Sequence, residues 1–277
     1  MFSITPTFDR TNSWLVERID GPDHSVEVHE TKRFRWLQFE NAITQSAMWL
    51  KHPERLLLPY SQSMLAPQLF IPAPQRILML GLGAGSWLRH FAAVEPTTHL
   101  TVIENSDAII QAARNHFHIT HERSVIQRDA YDFICNHEST YDLILVDVFD
   151  ADGMPEWLND HQFLSALRAR LSSGGAVSIN TMPDAKETLA AILVGLKETF
   201  GLHVLCATLR RYRNVMLFAF RDAPERTDLR AISKYAKQLE RAQRVPFRAI
   251  AKNLARTNRI ARSQFFPDLP GPARLDD

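Results

Sequence analysis

Four groups of residues in this chain have types and spacings that can do chemistry. The first is the loop Gly81-Leu82-Gly83-Ala84-Gly85, which follows the apolar run RILML and precedes the amphipathic stretch WLRHFAAV. Strand, glycine turn and helix in that order place backbone N–H groups where an anionic or hydroxylated ligand can meet them. Gly81 and Gly83 admit backbone angles that other residues avoid. The second is Glu104, which closes the apolar run LTVIE about 20 residues after the loop, where an acid can accept both hydroxyls of a ribose. That geometry serves dinucleotides and S-adenosylmethionine alike. The bland reading is an exposed strand-end glutamate.

The third group is Asp129-Ala130, at the end of SVIQRD. An aspartate there can cap a helix, or accept from an adenine amino group while the next N–H bonds a ring nitrogen. A plain dinucleotide fingerprint needs no such third acid, so nicotinamide binding loses ground. The fourth is Asp147-Val148-Phe149-Asp150-Ala151-Asp152-Gly153, after the run YDLILV. Two carboxylates beyond one strand can hold an ammonium group, and one can take its proton. An amine with a pKa near 10 attacks carbon only once deprotonated, so a base has a purpose there. A turn rich in aspartates, or a cation site, is the alternative.

These groups need elements to hold them. Apolar runs of about five residues alternate with amphipathic stretches from Arg76 to Phe220, which predicts an α/β fold. The expected form is a Rossmann-like, doubly wound, mostly parallel sheet of the class I methyltransferase type. Residues 1–52 read as a small N-terminal β unit, with Val26 and Val28 on one strand, Phe34 to Phe39 on another and Thr31-Lys32-Arg33 as the turn. Residues 53–222 read as the nucleoside-binding unit, beginning with a helix over 53–70. Gly174-Gly175 reads as a turn before the strand AVSIN, and two final strands cover 203–208 and 214–220. Residues 223–277 read as a basic helical extension ending in a loose tail, FFPDLPGPARLDD.

Composition excludes several classes. The formal net charge is +1 over 277 residues, which gives no overall steering toward nucleic acid or membrane. The arginines and lysines after Pro224 read as a solvated helical face, so nucleic acid is not an expected partner. Two cysteines without ligand spacing predict neither a disulfide framework nor a metal site, and a cytoplasmic setting. No apolar run is long enough to span a membrane. Trp14, Trp36, Trp49 and Trp157 read as packing residues rather than a cofactor cage.

Taken together, residues 24–220 resemble the spermidine/spermine synthase family of polyamine aminopropyltransferases. The resemblance is carried by the N-terminal β unit, Gln45-Ser46-Ala47-Met48, Tyr60-Ser61-Gln62-Ser63-Met64-Leu65, the glycine loop, Glu104, Asp129-Ala130 and Asp147 with Asp150. It implies a transferase that moves an aminopropyl group from decarboxylated S-adenosylmethionine to an amine such as putrescine, releasing methylthioadenosine. It further implies a homodimer. Under it Glu104 holds the ribose, Asp129 the adenine, Asp147 is the base and Asp150 binds the amine and assists. Gly81, Gly83, Gly85, Ala130 and Gln45 complete the donor site, and Tyr60 and Gln62 join Asp150 on the acceptor. The departures are concentrated on the amine side. The family's loop commonly reads Gly-Gly-Gly-Asp-Gly, and Ala84 stands in place of that aspartate. Gln62-Ser63 replaces a His-Glu pair, His24 a glutamine and Ala151 a proline, and RRYRNVMLF replaces an aromatic motif. Two alternatives follow: a methyltransferase using intact S-adenosylmethionine, and a non-catalytic nucleoside-binding relative.

Overall fold

The computed structural model describes residues 12–22, 24–39, 44–119, 124–149, 153–258, 260 and 264–266. Two sheets organise them. The N-terminal sheet is antiparallel, with strands β1 (Trp14–Ile19), β2 (Val26–Glu30), β3 (Phe34–Phe39) and β4 (Thr44–Trp49) side by side in chain order. Val26 and Val28 are fully buried and alternate with partly exposed residues, as a sheet with one dry face requires.

The segment from 53 to 70 is not one helix. Prolines divide it: Pro59 opens the one-turn helix α1 (Pro59–Ser63), and Pro67 lies in a 3-10 turn at Ala66–Leu69. Proline is tolerated in a first turn, but inside a helix it lacks the N–H the ladder needs. The turn residues Ala66 to Leu69 are nonetheless buried.

The main sheet follows as alternating strands and helices: β5 (Arg76–Leu80), α2 (Ser86–Val94), β6 (His99–Glu104), α3 (Asp107–His116), β7 (Val125–Gln127), α4 (Ala130–Asn136), β8 (Tyr141–Val146), α5 (His161–Ala169), β9 (Leu171–Thr181), α6 (Lys186–Phe200), β10 (Val204–Thr208) and β11 (Val215–Phe220). The strand order is β10-β11-β9-β8-β5-β6-β7, and only β11 runs antiparallel to the other strands. Leu78, Leu80, Leu143 and Leu145 have no exposed surface, as expected of strands covered on both faces. The order reverses at β5 and β8, so their carboxyl ends flank the crevice where such sheets bind ligands.

Gly174-Gly175 is not a turn but lies within β9, where the pairing with β8 slips between Tyr141 and Leu143. Gly174 has φ +70°, and a side chain on Gly175 would press on the Ser172, Tyr141 and Asp142 carbonyls. The pair forms a bulge that a longer strand absorbs.

The basic segment forms two helices, α7 (Leu229–Gln243) and α8 (Phe247–Thr257). Ile232, Ala236, Leu239, Phe247, Ile250 and Leu254 pack into the same core as the N-terminal sheet and α2. The segment read as a loose tail begins instead with two buried phenylalanines: Phe265 and Phe266 stack edge-on against Phe70, and the Phe265 amide donates to the Thr227 carbonyl. Among the described residues no helix is long and apolar enough to cross a membrane.

Candidate active site

The register of the sheet decides which side chains meet. Leu80 pairs with Ile103 on one side and Val146 on the other, so Gly81, Glu104 and Asp147 emerge together at the carboxyl edge. Val146 pairs in turn with Ile179, which brings Asn180 beside Asp147. The Gly81 amide donates to the Ile103 carbonyl at 2.8 Å and the Asp147 amide to the Leu80 carbonyl at 2.9 Å. Gly81 has φ +98°, and any Cβ there would collide with the Asp147 carbonyl. Only glycine permits this approach of two backbones.

Glu104 fastens the loop. Its Oε2 accepts from the Leu82 amide and its Oε1 from the Ser106 amide, each at 3.0 Å. Burial pushes its carboxyl above the ordinary range, and the amides of Leu82, Ser106, Asn105 and Gly83 pull it back. Behind the loop lies Arg89, partly buried and held by the carbonyls of Pro53, Ala84 and Phe117. Burial lowers its pKa to about 9.

The loop, strand ends and N-terminal sheet enclose a cleft of about 820 Å³. Its wall includes Gly81, Gly83, Glu104, Asp129, Ala130, Asp147 and Tyr60, with His24, Ser46 and Trp157 from other elements. Gly83 lies close to Ser46 of β4, whose hydroxyl is 3.2 Å from that of Ser86. Asp129 caps α4, its Oδ1 accepting from the Asp132 amide at 2.8 Å.

Asp147 is a second carboxylate of the cleft whose pKa is raised. Burial raises its pKa from 3.8 to about 6, against hydrogen bonds from Asn180 and Tyr60 that lower it. Asn180 Nδ2 donates to Asp147 Oδ1 at 2.7 Å. The Tyr60 hydroxyl is pushed well above its ordinary pKa by burial and by the adjacent Asp147 charge, and so stays a donor. A partly buried carboxylate with a pKa near neutrality, held by two donors, is poised to take a proton at physiological pH.

Not every expected residue joins the cleft. Gly85 does not line it: with φ +69° it caps the N-terminus of α2, and a Cβ there would run into Ile119. Gln62 turns away, its Nε2 donating to the Leu56 carbonyl at 2.7 Å. Gln45 lies on β4, but its side chain falls outside the described residues, as does all of Asp150. Trp157 lines the cleft rather than merely packing, and Trp14 is 47 % exposed. Sequence reasoning missed Asn180. Its signal is a polar residue ending the apolar strand AVSIN, one strand away from an aspartate at the same level.

The spermine/spermidine synthase domain matches residues 60–225, which hold the glycine loop, Glu104, Asp129 and Asp147. This chain belongs to the spermine/spermidine synthase family. A polyamine aminopropyltransferase of Neisseria meningitidis is 30% identical over 237 residues, covering 84% of this chain and 90% of that protein. One from Chromobacterium violaceum is 28% identical over 236 residues, with the same coverage. The fold is shared with a probable spermidine synthase from Corynebacterium glutamicum, at a TM-score of 0.66 and 22% identity over 92% of this chain and 99% of the other. It is also shared with human methyltransferase-like protein 13, at a TM-score of 0.55 and 19% identity over 75% and 92%. Family membership agrees with the resemblance read from the motifs, and the shared fold with the predicted α/β sheet.

Proposed function

We propose that this family member transfers an aminopropyl group from decarboxylated S-adenosylmethionine to a small amine. The observation that carries the reading is Asp147, a base with a pKa of about 6 in the same cleft as the ribose-type acid Glu104 and the cap Asp129. A cleft of about 820 Å³ has room for a nucleoside and a short amine together.

In this reading Gly81 and Gly83 let the donor approach the main chain, and Glu104 accepts the ribose hydroxyls. Asp129 accepts from the adenine amino group with its Oδ2, and the Ala130 amide bonds a ring nitrogen. Asp147 takes a proton from the acceptor ammonium, and Tyr60 holds the carboxylate toward it. The freed nitrogen lone pair attacks the methylene carbon next to the sulfonium. The C–N bond forms as the C–S bond breaks, the sulfur keeps the electron pair, and methylthioadenosine leaves. Gln45 and Asp150 complete the assignment as contacts to donor and acceptor. Holding amine and sulfonium in line removes much of the entropic barrier. The test is release of methylthioadenosine from the decarboxylated donor. The reading expects release that depends on added diamine, and diamine-independent or absent release overturns it.

We also infer a homodimer formed through β1. Its Trp14 and Leu15 are 47 % and 51 % exposed on an edge strand, an arrangement that invites pairing. Light scattering at twice the 31.7 kDa chain mass is the expected result, and a monomer contradicts it.

A second reading, methyl transfer from intact S-adenosylmethionine, rests on Ala84. It is fully buried and puts no carboxylate where the family's loop commonly carries one. An aspartate there favours a donor tail with only an ammonium group, and alanine removes that preference.

A further inference from the structure

Asn180 touches Asp147 with one end of its amide and Asn214 with the other. Its Nδ2 donates to Asp147 Oδ1 at 2.7 Å, and its Oδ1 accepts from Asn214 Nδ2 at 3.0 Å. The two ends of an asparagine amide have nearly the same shape, so only neighbours decide which end faces which way. Asn180 is 2 % exposed, so protein groups make that choice. Asn214 precedes β11, whose Val215 pairs with Thr181, and this register places it next to Asn180. Neither asparagine lines the cleft.

We propose that Asn214 is a positioning residue, which fixes the Asn180 amide with its NH2 end toward the Asp147 carboxylate. In the observed arrangement the Asn214 NH2 faces Asn180, whose oxygen accepts from it, and the Asn180 NH2 is left for Asp147. In the reversed orientation two acceptors would face each other at Asp147. A donor bonded to a carboxylate favours the ionised form that a base needs, and an acceptor in that place favours the protonated form. The donor that Asp147 meets on β9 is therefore set from β11, one strand further out. The other groups near it are few. Tyr60 is the ionisable group bonded to Asp147. His24, Glu104, Asp107, Arg128 and Asp129 line the same cleft, and beside Asn214 the charge of Arg213 is paired with Asp184.

Asn214→Asp keeps the shape but offers only acceptors, so it draws the Asn180 NH2 away from Asp147. Asn214→Ala removes the constraint without inverting it. The measurement is the carboxyl 13C titration of Asp147, with its resonance identified by its loss in Asp147→Asn. Melting curves establish that each variant is folded. The midpoint is expected to rise by about one unit in Asn214→Asp and by less in Asn214→Ala. The acid limb of kcat/KM should move with it, while KM for the nucleoside donor stays unchanged. Midpoints equal to wild type in both folded variants would overturn the proposal. Only the kinetic arm rests on aminopropyl transfer. A shifted titration in a protein without turnover keeps the positioning role of Asn214 and removes that function, and an unshifted titration with normal turnover does the reverse.

Discussion

The Leu82 amide donates to Glu104 Oε2 at 3.0 Å, so the glycine loop is held by the same carboxylate that the proposed function assigns to the ribose. Loop shape and sugar recognition are therefore coupled. Glu104→Gln keeps the size but removes the charge and turns one acceptor into a donor. Losing a hydrogen bond to a charged group costs about 1.5–3 kcal/mol, roughly a tenfold to hundredfold loss in affinity. Calorimetry with methylthioadenosine should show that loss, and unchanged affinity would remove Glu104 from the donor site.

The pKa of Asp147 sets a pH dependence. The base works only when ionised, and its pKa is raised to about 6. Activity at saturating donor should fall as pH drops through about 6. In Asp147→Asn the remaining activity should be about 100-fold to 10,000-fold lower and lack this limb. Rates from pH 5 to 8 check both statements.

The same shift is a stability cost. Burial raises the folded pKa of Asp147 above its ordinary 3.8, so the folded chain holds that proton more tightly than the unfolded one. The contribution is fully present below about 3.8 and is lost as pH rises to about 6. Above that window the ionised carboxylate costs on the order of 2 kcal/mol, after allowance for the open side of the cleft. Asp147→Asn should therefore be more stable than wild type at pH 8, with no difference near pH 3.5. Urea unfolding at the two values tests the sign.

Arg89 predicts a loss that has nothing to do with charge pairing. Its guanidinium ties the carbonyls of Pro53, Ala84 and Phe117 together. Arg89→Ala leaves three carbonyls without that donor, and each buried orphan costs about 1–3 kcal/mol. Arg89→Lys has a single ammonium in place of a planar fork and should recover only part of the loss. Denaturant midpoints should fall in the order wild type, Lys, Ala.

Much of this was legible because it depends on short-range pattern. The alternation of apolar runs and amphipathic stretches marks β5 through α6, and the glycine loop sits where a strand becomes a helix. Glu104, Asp129 and Asp147 are strand-end acids, and a parallel sheet sends such ends to one edge. What local pattern could not reveal depends on register and packing. Asn180 reaches Asp147 because Val146 pairs with Ile179, and no spacing in the chain encodes that pairing. Gln62 follows its own turn to the Leu56 carbonyl. Phe265 and Phe266 lie in a stretch rich in proline and aspartate, which reads as loose until Phe70 and Phe220 are seen to receive them. The prolines at 59 and 67 outweigh the apolar content that suggested a helix over 53–70.

The most direct test of the function offers the protein both donors at once. Equal amounts of decarboxylated and intact S-adenosylmethionine are supplied with putrescine, and the amine products are identified by mass spectrometry. The account predicts an aminopropylated amine with an equal amount of methylthioadenosine, both lost in Asp147→Asn. A methylated product with S-adenosylhomocysteine, or no modified amine across a range of di- and polyamines, would contradict it.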